Sequence, residues 1–368
     1  MPQVPGKSAL FILLTSLISF SCEKAFLDDR ASDDPVANFD YLWKTLDEKY
    51  VYFHYKEIDW DEIYREFRPQ IDHQTHEKEL FRVMADMLFR FRDGHVNLYA
   101  PFETSRNFLW YMEHPANFNY NNIRRYYLGE EARHTGPLAN AIIDSVGYVY
   151  YQSFGHDIRE PDIDYLISDF AGLKGIVIDV RSNGGGSSRN SRILASRFAD
   201  RKRLVAKHLY KRGPAHDDFF DPVDQYLEPA GPLQFTGPVV VLMNRYSFSA
   251  SNDFILKMQS LPHVTLMGDH SGGGGGIPLD NELPNGWLFR FSGTKTLAPD
   301  GFNVEHGIAP DVRINLHGSA EALGRDNIID SAIKLISEKA ETAANSGESP
   351  LPGKTTQIQA RDAFFQRP

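Results

Sequence analysis

Cysteine is almost absent from this chain, which has one such residue, Cys22, among 368. A single cysteine excludes an internal disulfide, and its position near the N-terminus excludes a thiol nucleophile in the body of the protein. Basic residues are also outnumbered, since 39 lysines and arginines against 49 aspartates and glutamates give a formal net charge of −10. The chain lacks the basic surface that nucleic-acid binding requires, so we expect no nucleic-acid partner.

Several catalytic motifs are missing as well. There is no His-Glu-x-x-His pair of zinc ligands, and His73 and His76 lie among charged residues, where we expect them to be solvated. Neither the Gly-x-Ser-x-Gly turn of α/β-hydrolases nor a phosphate-binding P-loop is present. The sequence therefore predicts no metal and no other cofactor.

A long uncharged run lies near the N-terminus, where Lys7 precedes an apolar stretch over residues 9–21. That stretch is too short to span a bilayer, and with the preceding lysine it is typical of a secretory signal, predicted here for residues 1–21. The junction before Cys22 resembles a bacterial lipobox. We therefore expect an exported lipoprotein of the bacterial cell envelope, periplasmic or outer-membrane associated, held to the membrane only by a lipid on Cys22. An ordinary signal peptide with a bystander cysteine is the alternative.

Residues 22–38 are polar and acidic, and predict a tether. Apolar residues at helical spacing then predict a helical N-terminal subdomain over residues 39–100. Its three helical stripes occupy residues 39–50, 60–67 and 80–91. The third helix is expected to stop at Arg92-Asp-Gly94, with Gly94 as a left-handed C-terminal cap, and His95 follows directly. Residues 101–140, which are aromatic and rich in asparagine, predict an irregular insert.

Strands alternate with helices over residues 141–338, which predicts an α/β (α+β) core. The expected strands are 145–154, 174–181, 204–209, 239–242, 264–268, 287–292 and 312–314. The expected helices include 162–170 and 328–336, with others following the strands at 174–181 and 239–242. Residues 339–368 are polar and are predicted to be a disordered tail.

One passage of this core places serines between a buried strand and a helix. The strand at 239–242 is followed by Asn244-Arg245 and then by Ser247-Phe-Ser-Ala-Ser251. A serine in the first turn of a helix lies where backbone N–H groups stabilise negative charge, which suits a nucleophile whose carbonyl target becomes an oxyanion. The alternative is that these serines only cap the helix.

Two glycine-rich turns accompany this passage. Ser182-Asn-Gly-Gly-Gly-Ser-Ser188 follows the strand at 174–181, and glycine lets a backbone approach a ligand closely because it has no Cβ. Successive N–H groups in such a turn can bind an anion, so an oxyanion hole is the functional interpretation and a plain tight turn the alternative. The run Gly272–Gly276 is expected to be a mobile lid or rim over the cleft.

These motifs together resemble those of a known family. Asp179-Val-Arg-Ser-Asn-Gly-Gly-Gly186, Tyr246-Ser-Phe-Ser-Ala-Ser-Asn252 and Phe302-Asn-Val-Glu-His-Gly-Ile-Ala-Pro-Asp311 occur in the order found in C-terminal-processing (tail-specific) serine peptidases. Arg92-Asp-Gly-His-Val-Asn-Leu98 is similar to the histidine segment of that family's tricorn-core-like members. The likeness covers about residues 37–315 and implies a ClpP/crotonase-like core preceded by a helical subdomain.

The resemblance implies a role for particular residues. Ser249 would be the nucleophile, and the backbone N–H groups of Gly185, Gly186 and Ala250 would form the oxyanion hole. Many family members use a Ser/Lys dyad, but Gly274 stands at the expected lysine position.

The nearest lysines lie elsewhere, Lys257 along the helix that follows Ser249 and Lys295 on a later strand. His95 is therefore expected to be the general base and acid, as in the tricorn-like members, because imidazole changes charge near neutral pH. Glu305 would hold that imidazole in place as the third member. Tricorn-type cores carry a serine directly before the histidine, and here that residue is Gly94.

We therefore expect a serine peptidase that cleaves unfolded or short peptides through an acyl-enzyme on Ser249. Too few residues separate His95 from the strand at 145–154 for a complete PDZ domain of the kind that many relatives carry. Substrate selection is then expected elsewhere, for example in the aromatic segment 107–127. The alternative is a non-catalytic protein that binds peptides or hydrophobic ligands on the same scaffold.

Overall fold

The computed structural model describes residues 33–105, 107, 112–129 and 132–346. The predicted signal peptide, Cys22 and the larger part of the predicted tether lie outside these residues, as does the chain after residue 346. The helices are α1 (Pro35–Lys49), α2 (Trp60–Phe67), α3 (Glu77–Phe89), α4 (Tyr120–Asn122), α5 (Glu160–Asp169), α6 (Ser188–Ser196), α7 (Ala250–Gln259), α8 (Gly318–Ala322) and α9 (Asn327–Ser346). A π-helix continues α4 over Ile123–Leu128, and 3₁₀ turns cover Arg68–Gln70 and Val304–His306.

The strands are β1 (Asn97–Ala100), β2 (Glu103–Thr104), β3 (Arg133–Thr135), β4 (Leu138–Ile143), β5 (Val146–Tyr150), β6 (Gly175–Asp179), β7 (Arg203–Tyr210), β8 (Val223–Leu227), β9 (Val239–Met243), β10 (Val264–Gly268), β11 (Pro278–Glu282), β12 (Leu288–Ser292), β13 (Thr294–Leu297) and β14 (Val312–Arg313). These elements divide into two compact units. The first comprises the chain up to Phe108 with Lys211–Asp218 and Pro278–Gly293, and the second comprises the remainder.

The first unit contains the three helices that the sequence predicts. Helix α1 begins at Pro35, because the Asp34 carboxylate accepts a hydrogen bond from the Val36 N–H at 3.2 Å and proline fits the first helical turn. The predicted tether over residues 22–38 is therefore wrong at its end, which is helical. After α3, the left-handed residue is Arg92, with φ of 44°, two residues before the glycine that was expected in this conformation.

A four-stranded antiparallel sheet in the order β11-β12-β1-β2 completes the first unit. The segments that form β11 and β12 were both expected in the core over residues 141–338, although only the segment of β12 was predicted as a strand, over residues 287–292. They belong to the first unit instead, because Asn97 and Leu98 of β1 pair with Arg290 and Phe289 of β12.

The second unit is built on a seven-stranded sheet in the order β14-β10-β9-β6-β5-β4-β3. The strands from β14 to β5 are parallel, whereas β4 pairs antiparallel with β5, and β3 in turn pairs antiparallel with β4. One face packs on a core with residues of α5, α6 and α7, and the other on a core with residues of α9. Burial on both faces explains why β6 and β9 are continuous apolar runs. The expected α/β class is confirmed.

Other parts of the second unit differ from the prediction. A small antiparallel sheet, in the order β13-β7-β8, includes strands that the sequence did not predict. The insert over residues 101–140 contains short elements, among them β3 and α4. Helix α9 continues to Ser346, so the expectation of disorder from residue 339 is wrong for its first eight residues. The Lys339 ammonium donates a hydrogen bond to Thr265 Oγ1 at 2.8 Å and holds this part of the helix on the sheet.

Candidate active site

The strand order brings the two predicted turns to one edge of the sheet. Strands β6 and β9 are parallel neighbours, with Asp179 opposite Leu242, so the segments after their carboxyl ends lie side by side. The Phe248 N–H donates a hydrogen bond to the Asn183 carbonyl at 3.0 Å, which joins the serine turn to the glycine turn directly. Crevices outside the carboxyl ends of parallel strands are the usual ligand sites of α/β sheets.

Ser249 occupies the position before the first residue of α7 in an unusual backbone conformation, with φ of 57° and ψ of −117°. Such a conformation in a residue other than glycine costs about 1–3 kcal/mol and is concentrated at functional sites. The Ser249 N–H donates to the Gly273 carbonyl at 2.9 Å, and its own carbonyl accepts from the Asp253 N–H at 2.9 Å. Its side chain makes no capping hydrogen bond to α7, which argues against the capping alternative for this serine.

Ser247 has a different task. Its hydroxyl is fully buried, donates to the Val180 carbonyl at 2.8 Å and accepts from the Asn244 N–H at 3.1 Å. It therefore ties the end of β9 to the end of β6.

Gly185 and Gly186 adopt φ values of 96° and 138°, which favour glycine. A Cβ on Gly185 would lie 2.6 Å from the Phe248 carbonyl oxygen and 2.8 Å from the Ala250 nitrogen. The glycine turn and the start of α7 are thus in direct contact, as an oxyanion hole shared between them requires. The Gly185 N–H itself donates to Asn183 Oδ1 at 3.0 Å, so its role as an oxyanion donor stays a prediction.

Asn183 organises the glycine turn, a role that was not predicted from the sequence. Its side chain accepts from the Gly185 N–H and donates to the Tyr151 carbonyl at 2.8 Å, while its own carbonyl receives the Phe248 N–H. An asparagine before a glycine run is a known turn former, and this was the available signal.

The run Gly272–Gly276 connects the turn that carries Ser247 and Ser249 to Glu305. The Gly272 N–H donates to the Ser247 carbonyl at 2.8 Å, and Gly274 donates to the Glu305 carbonyl at 3.0 Å. Residues 272–274 are buried. This packed and hydrogen-bonded backbone contradicts the mobile lid expected for the run, whereas the alternative of a rim over the cleft stays a prediction.

Glu305 lies in the 3₁₀ turn Val304–His306, and its N–H donates to the Asn303 side chain at 3.1 Å. Glu305 is buried, with 4% of its surface exposed, and its carboxylate accepts a hydrogen bond from the Gly275 N–H at 2.9 Å. The structure thus places Glu305 at the same sheet edge as Ser249, one glycine segment away.

His95 belongs to the first unit, just before β1, and is 6% exposed. The backbone N–H of His95 donates a hydrogen bond to Asp93 Oδ1 at 2.8 Å. The other carboxylate oxygen, Asp93 Oδ2, accepts hydrogen bonds from the hydroxyls of Tyr50 at 3.0 Å and Ser292 at 2.9 Å. Asp93 was part of the quoted motif but received no role in the sequence analysis.

Burial lowers the pKa of His95 below its ordinary value, and this effect outweighs the opposing attraction of the Asp93 carboxylate. The neutral imidazole, which is the form that accepts a proton, is therefore favoured. Burial acts to raise the pKa of Asp93, but the charge of Lys56 and the hydrogen bonds to the carboxylate are among the effects that outweigh it and lower the pKa.

Lys257 and Lys295, the lysines nearest in sequence to the expected lysine position at Gly274, interact with other groups. Lys257 is buried and forms an ion pair with Asp253 in the same helix. The Lys295 ammonium lies 4.1 Å from the centre of the Phe219 ring.

Among the residues that the structure describes, no group of three histidine, cysteine, aspartate or glutamate side chains could hold a metal ion. In that same part of the chain, no helix combines the length and apolar character needed to cross a bilayer.

The structure thus brings Ser249, Ala250, both predicted glycine donors and Glu305 together in the second unit. His95 lies in the first unit, and its pairing with Ser249 stays a prediction. A strained serine at the start of a helix, beside a glycine turn at the edge of an α/β sheet, is an arrangement suited to the acyl-transfer chemistry of serine peptidases.

Comparison with known proteins gives the family. The model of peptidase family S41 matches residues 145–314, and that of the tricorn protease C1 domain matches residues 33–89. A crystal structure of a candidate peptidase from Parabacteroides merdae ATCC 43184 is 41% identical, covers 82% of this chain and 96% of that chain, and superposes with a TM-score of 0.79. The chain belongs to peptidase family S41.

Two further relatives are more distant. The carboxy-terminal processing protease CtpA of Bacillus subtilis (strain 168) is 24% identical over 175 residues, which are 47% of this chain and 36% of that protein. This chain thus spans about a third of the length of that curated relative. Mature CPAF, in complex with lactacystin, is 11% identical with a TM-score of 0.65, over 85% of this chain and all of that one, and supports the fold alone.

Proposed function

We propose that this protein is a serine peptidase that cleaves peptide bonds through an acyl-enzyme on Ser249. The observation that carries the proposal is the strained Ser249 backbone, fixed between Gly273 and Asp253 and in contact with the Gly185 turn. The hydrogen bonds to Gly273 and Asp253 hold this costly conformation and so fix the Ser249 backbone at the sheet edge.

In the proposed reaction, Ser249 Oγ attacks the scissile carbonyl carbon while the His95 imidazole accepts the hydroxyl proton. The carbonyl oxygen becomes an oxyanion, which the N–H groups of Ala250 and of the glycine turn stabilise. The tetrahedral intermediate collapses to the acyl-enzyme, and the imidazolium gives its proton to the leaving amine. Water then attacks the ester with the same histidine as base, which releases the acid product and restores the serine.

Glu305 is proposed as the residue that stabilises the imidazolium. Its buried carboxylate accepts the Gly275 N–H at 2.9 Å, which fixes it at the sheet edge that carries Ser249. A negative charge held there would attract the imidazolium that forms during the reaction.

The proposed substrates are unfolded or short peptides, since an extended chain can enter a crevice at the sheet edge. We also propose export as a lipoprotein of the cell envelope, anchored through Cys22, on the basis of the apolar run and the small residue before that cysteine.

The alternative function, a non-catalytic binding protein, is not favoured, because relatives of this chain include named serine proteases.

Hydrolysis of a mixture of unstructured peptides tests the proposal. We expect cleavage by the wild type and at least a ~10³-fold loss of kcat in Ser249→Ala and in His95→Ala. Two matched controls should retain activity: Ser331→Ala, which removes a hydroxyl that bonds only to its own helix, and His73→Ala, which removes an exposed imidazole. Cleavage that persists in folded Ser249→Ala would show that another residue is the nucleophile.

A further inference from the structure

Two helices of the second unit begin at the candidate active site. Helix α6 begins at Ser188, two residues after Gly186, and α7 begins at Ala250, the residue after the proposed nucleophile. Each helix is a rigid extension of a turn that carries a proposed oxyanion donor. The relative placement of α6 and α7 therefore sets the distance between the donors.

A buried polar cluster joins these helices about one turn from the site. The Ser191 hydroxyl of α6 donates to Asp253 Oδ2 of α7 at 2.7 Å. The Lys257 ammonium pairs with the other oxygen of the same carboxylate and lies 3.4 Å from Ser191 Oγ. Ser191 and Lys257 are fully buried, whereas the Asp253 side chain is 21% exposed.

Asp253 also contacts the nucleophile's own backbone, because its backbone N–H donates a hydrogen bond to the Ser249 carbonyl at 2.9 Å at the start of α7. One residue thus contacts the Ser249 peptide group, a serine of α6 and a lysine one turn further along α7. A buried ion pair is weak support for stability alone, since apolar residues of similar size often serve as well. Directional hydrogen bonds, by contrast, fix geometry.

We propose that Asp253, together with Ser191 and Lys257, is a positioning residue for peptide hydrolysis that holds the two halves of the oxyanion hole at their working separation. This role rests on the proposed function. Asp253 contacts no reacting atom in it; it acts through the Ser249 backbone and through α6. Lys257 neutralises the carboxylate, so that no uncompensated negative charge stands near the developing oxyanion.

The chemical consequence is specific. An oxyanion forms only in the transition state, so a shift of its donors lowers kcat and leaves ground-state binding, and hence KM, almost unchanged. Displacements of about 1 Å at remote positions can cost up to ~10²-fold in rate. Loss of general stability also lowers the apparent kcat, but only in proportion to the folded fraction at the assay temperature, which the unfolding curve gives.

The test measures kcat, KM and the thermal unfolding midpoint for Ser191→Ala and Asp253→Asn. Ser191→Ala removes only the hydroxyl that joins the helices, and Asp253→Asn removes the charge but keeps the shape. The matched control is Asp86→Asn, which breaks an ion pair of the same i,i+4 spacing on the exposed face of α3. We expect kcat to fall about 10-fold or more in both test variants at temperatures where they are folded, with KM within about twofold of wild type and the control unchanged.

An unchanged kcat in folded Ser191→Ala would overturn the proposal, as would a kcat that falls only in proportion to the folded fraction. If Asp253→Asn does not fold, Ser191→Ala decides alone. A wild type that neither cleaves peptides nor reacts at Ser249 would refute the proposed function itself. An active wild type with fully active variants would refute only the role of this cluster.

Discussion

The N–H of Ser249 donates a hydrogen bond to the carbonyl of Gly273 at 2.9 Å, and a Cβ on Gly273 would lie 1.8 Å from the carbonyl oxygen of Glu305. One glycine therefore separates the segments that carry the proposed nucleophile and the proposed third member of the site. Motifs in the sequence led to both residues. They did not indicate that a third segment packs between them and links them.

Substitution of Gly273 should therefore abolish activity. Gly273→Ala adds a methyl group against backbone and forces a left-handed conformation, with φ of 78°, on alanine. We expect a loss of at least ~10²-fold in kcat/KM, because either Ser249 or Glu305 must move. Gly172→Ala is the control: its φ is 87°, but nothing lies within 4 Å of its Cβ position. Equal losses in both variants would show that backbone strain, rather than the packing of Gly273, is responsible.

Lysine should not be needed as the base. Lys295→Met should change kcat by less than about threefold, because the account assigns proton transfer to His95, whose loss is expected to cost at least ~10³-fold. The comparison requires only initial rates with one peptide substrate. A large loss in Lys295→Met with normal activity in His95→Ala would replace the proposed Ser/His pair by a Ser/Lys pair.

The pH dependence should reflect the buried imidazole. Burial holds the pKa of His95 below 6.5, and only the neutral ring accepts the serine proton. Activity should therefore persist at pH values somewhat below 6.5 and fall as the pH decreases through the lowered pKa.

Nearby charges should move this midpoint in known directions. The Asp93 carboxylate raises the pKa of His95, whereas Arg290 and Lys56 lower it. Asp93→Asn should thus move the acidic limb of the kcat/KM profile to lower pH, and Arg290→Gln should move it to higher pH. An acidic limb centred above pH 7 in the wild type would contradict the assignment of this limb to His95.

Arg181 should be essential for stability. It is fully buried after β6 and forms ion pairs with Asp179 at 2.6 Å and with Asp326 at 2.9 Å. Arg181→Met leaves two buried carboxylates without their cation, which should reduce the free energy of unfolding by about 3–5 kcal/mol. Arg201→Met, at a 73% exposed side chain that lies 3.9 Å from Asp200, should cost about 0–1 kcal/mol. Urea unfolding measures both, and similar costs for the two variants would contradict the prediction.

The parts of the fold that the sequence predicted are those with strong local patterns. Helix α2 and strand β10 have the expected bounds, because their apolar spacing is decided within a few residues. Strand β8 was missed because most of its side chains are exposed, so its sequence carries little apolar pattern. Strand β12 belongs to the first unit because it pairs with β1. The two strands are far apart in the sequence, so no local pattern predicts this pairing.

The candidate site shows the same division. Ser249, the glycine turn and Glu305 follow from motifs, since each needs a particular residue at a particular turn. The buried position of Gly273 could not be predicted, because it depends on where Glu305 lies in space. Asp93 and Asn183 stood inside the recognised motifs, but their roles depend on hydrogen-bond partners that only the folded chain brings together.

Reaction with a fluorophosphonate probe, followed by mass spectrometry of the digested protein, tests most directly whether Ser249 is an activated nucleophile. The probe is an electrophile that reacts with an activated serine hydroxyl. The account predicts one adduct, on the peptide that contains Ser249, with no adduct in Ser249→Ala and a much slower reaction in His95→Ala. A folded wild type that stays unlabelled, or that reacts equally fast without His95, would contradict it.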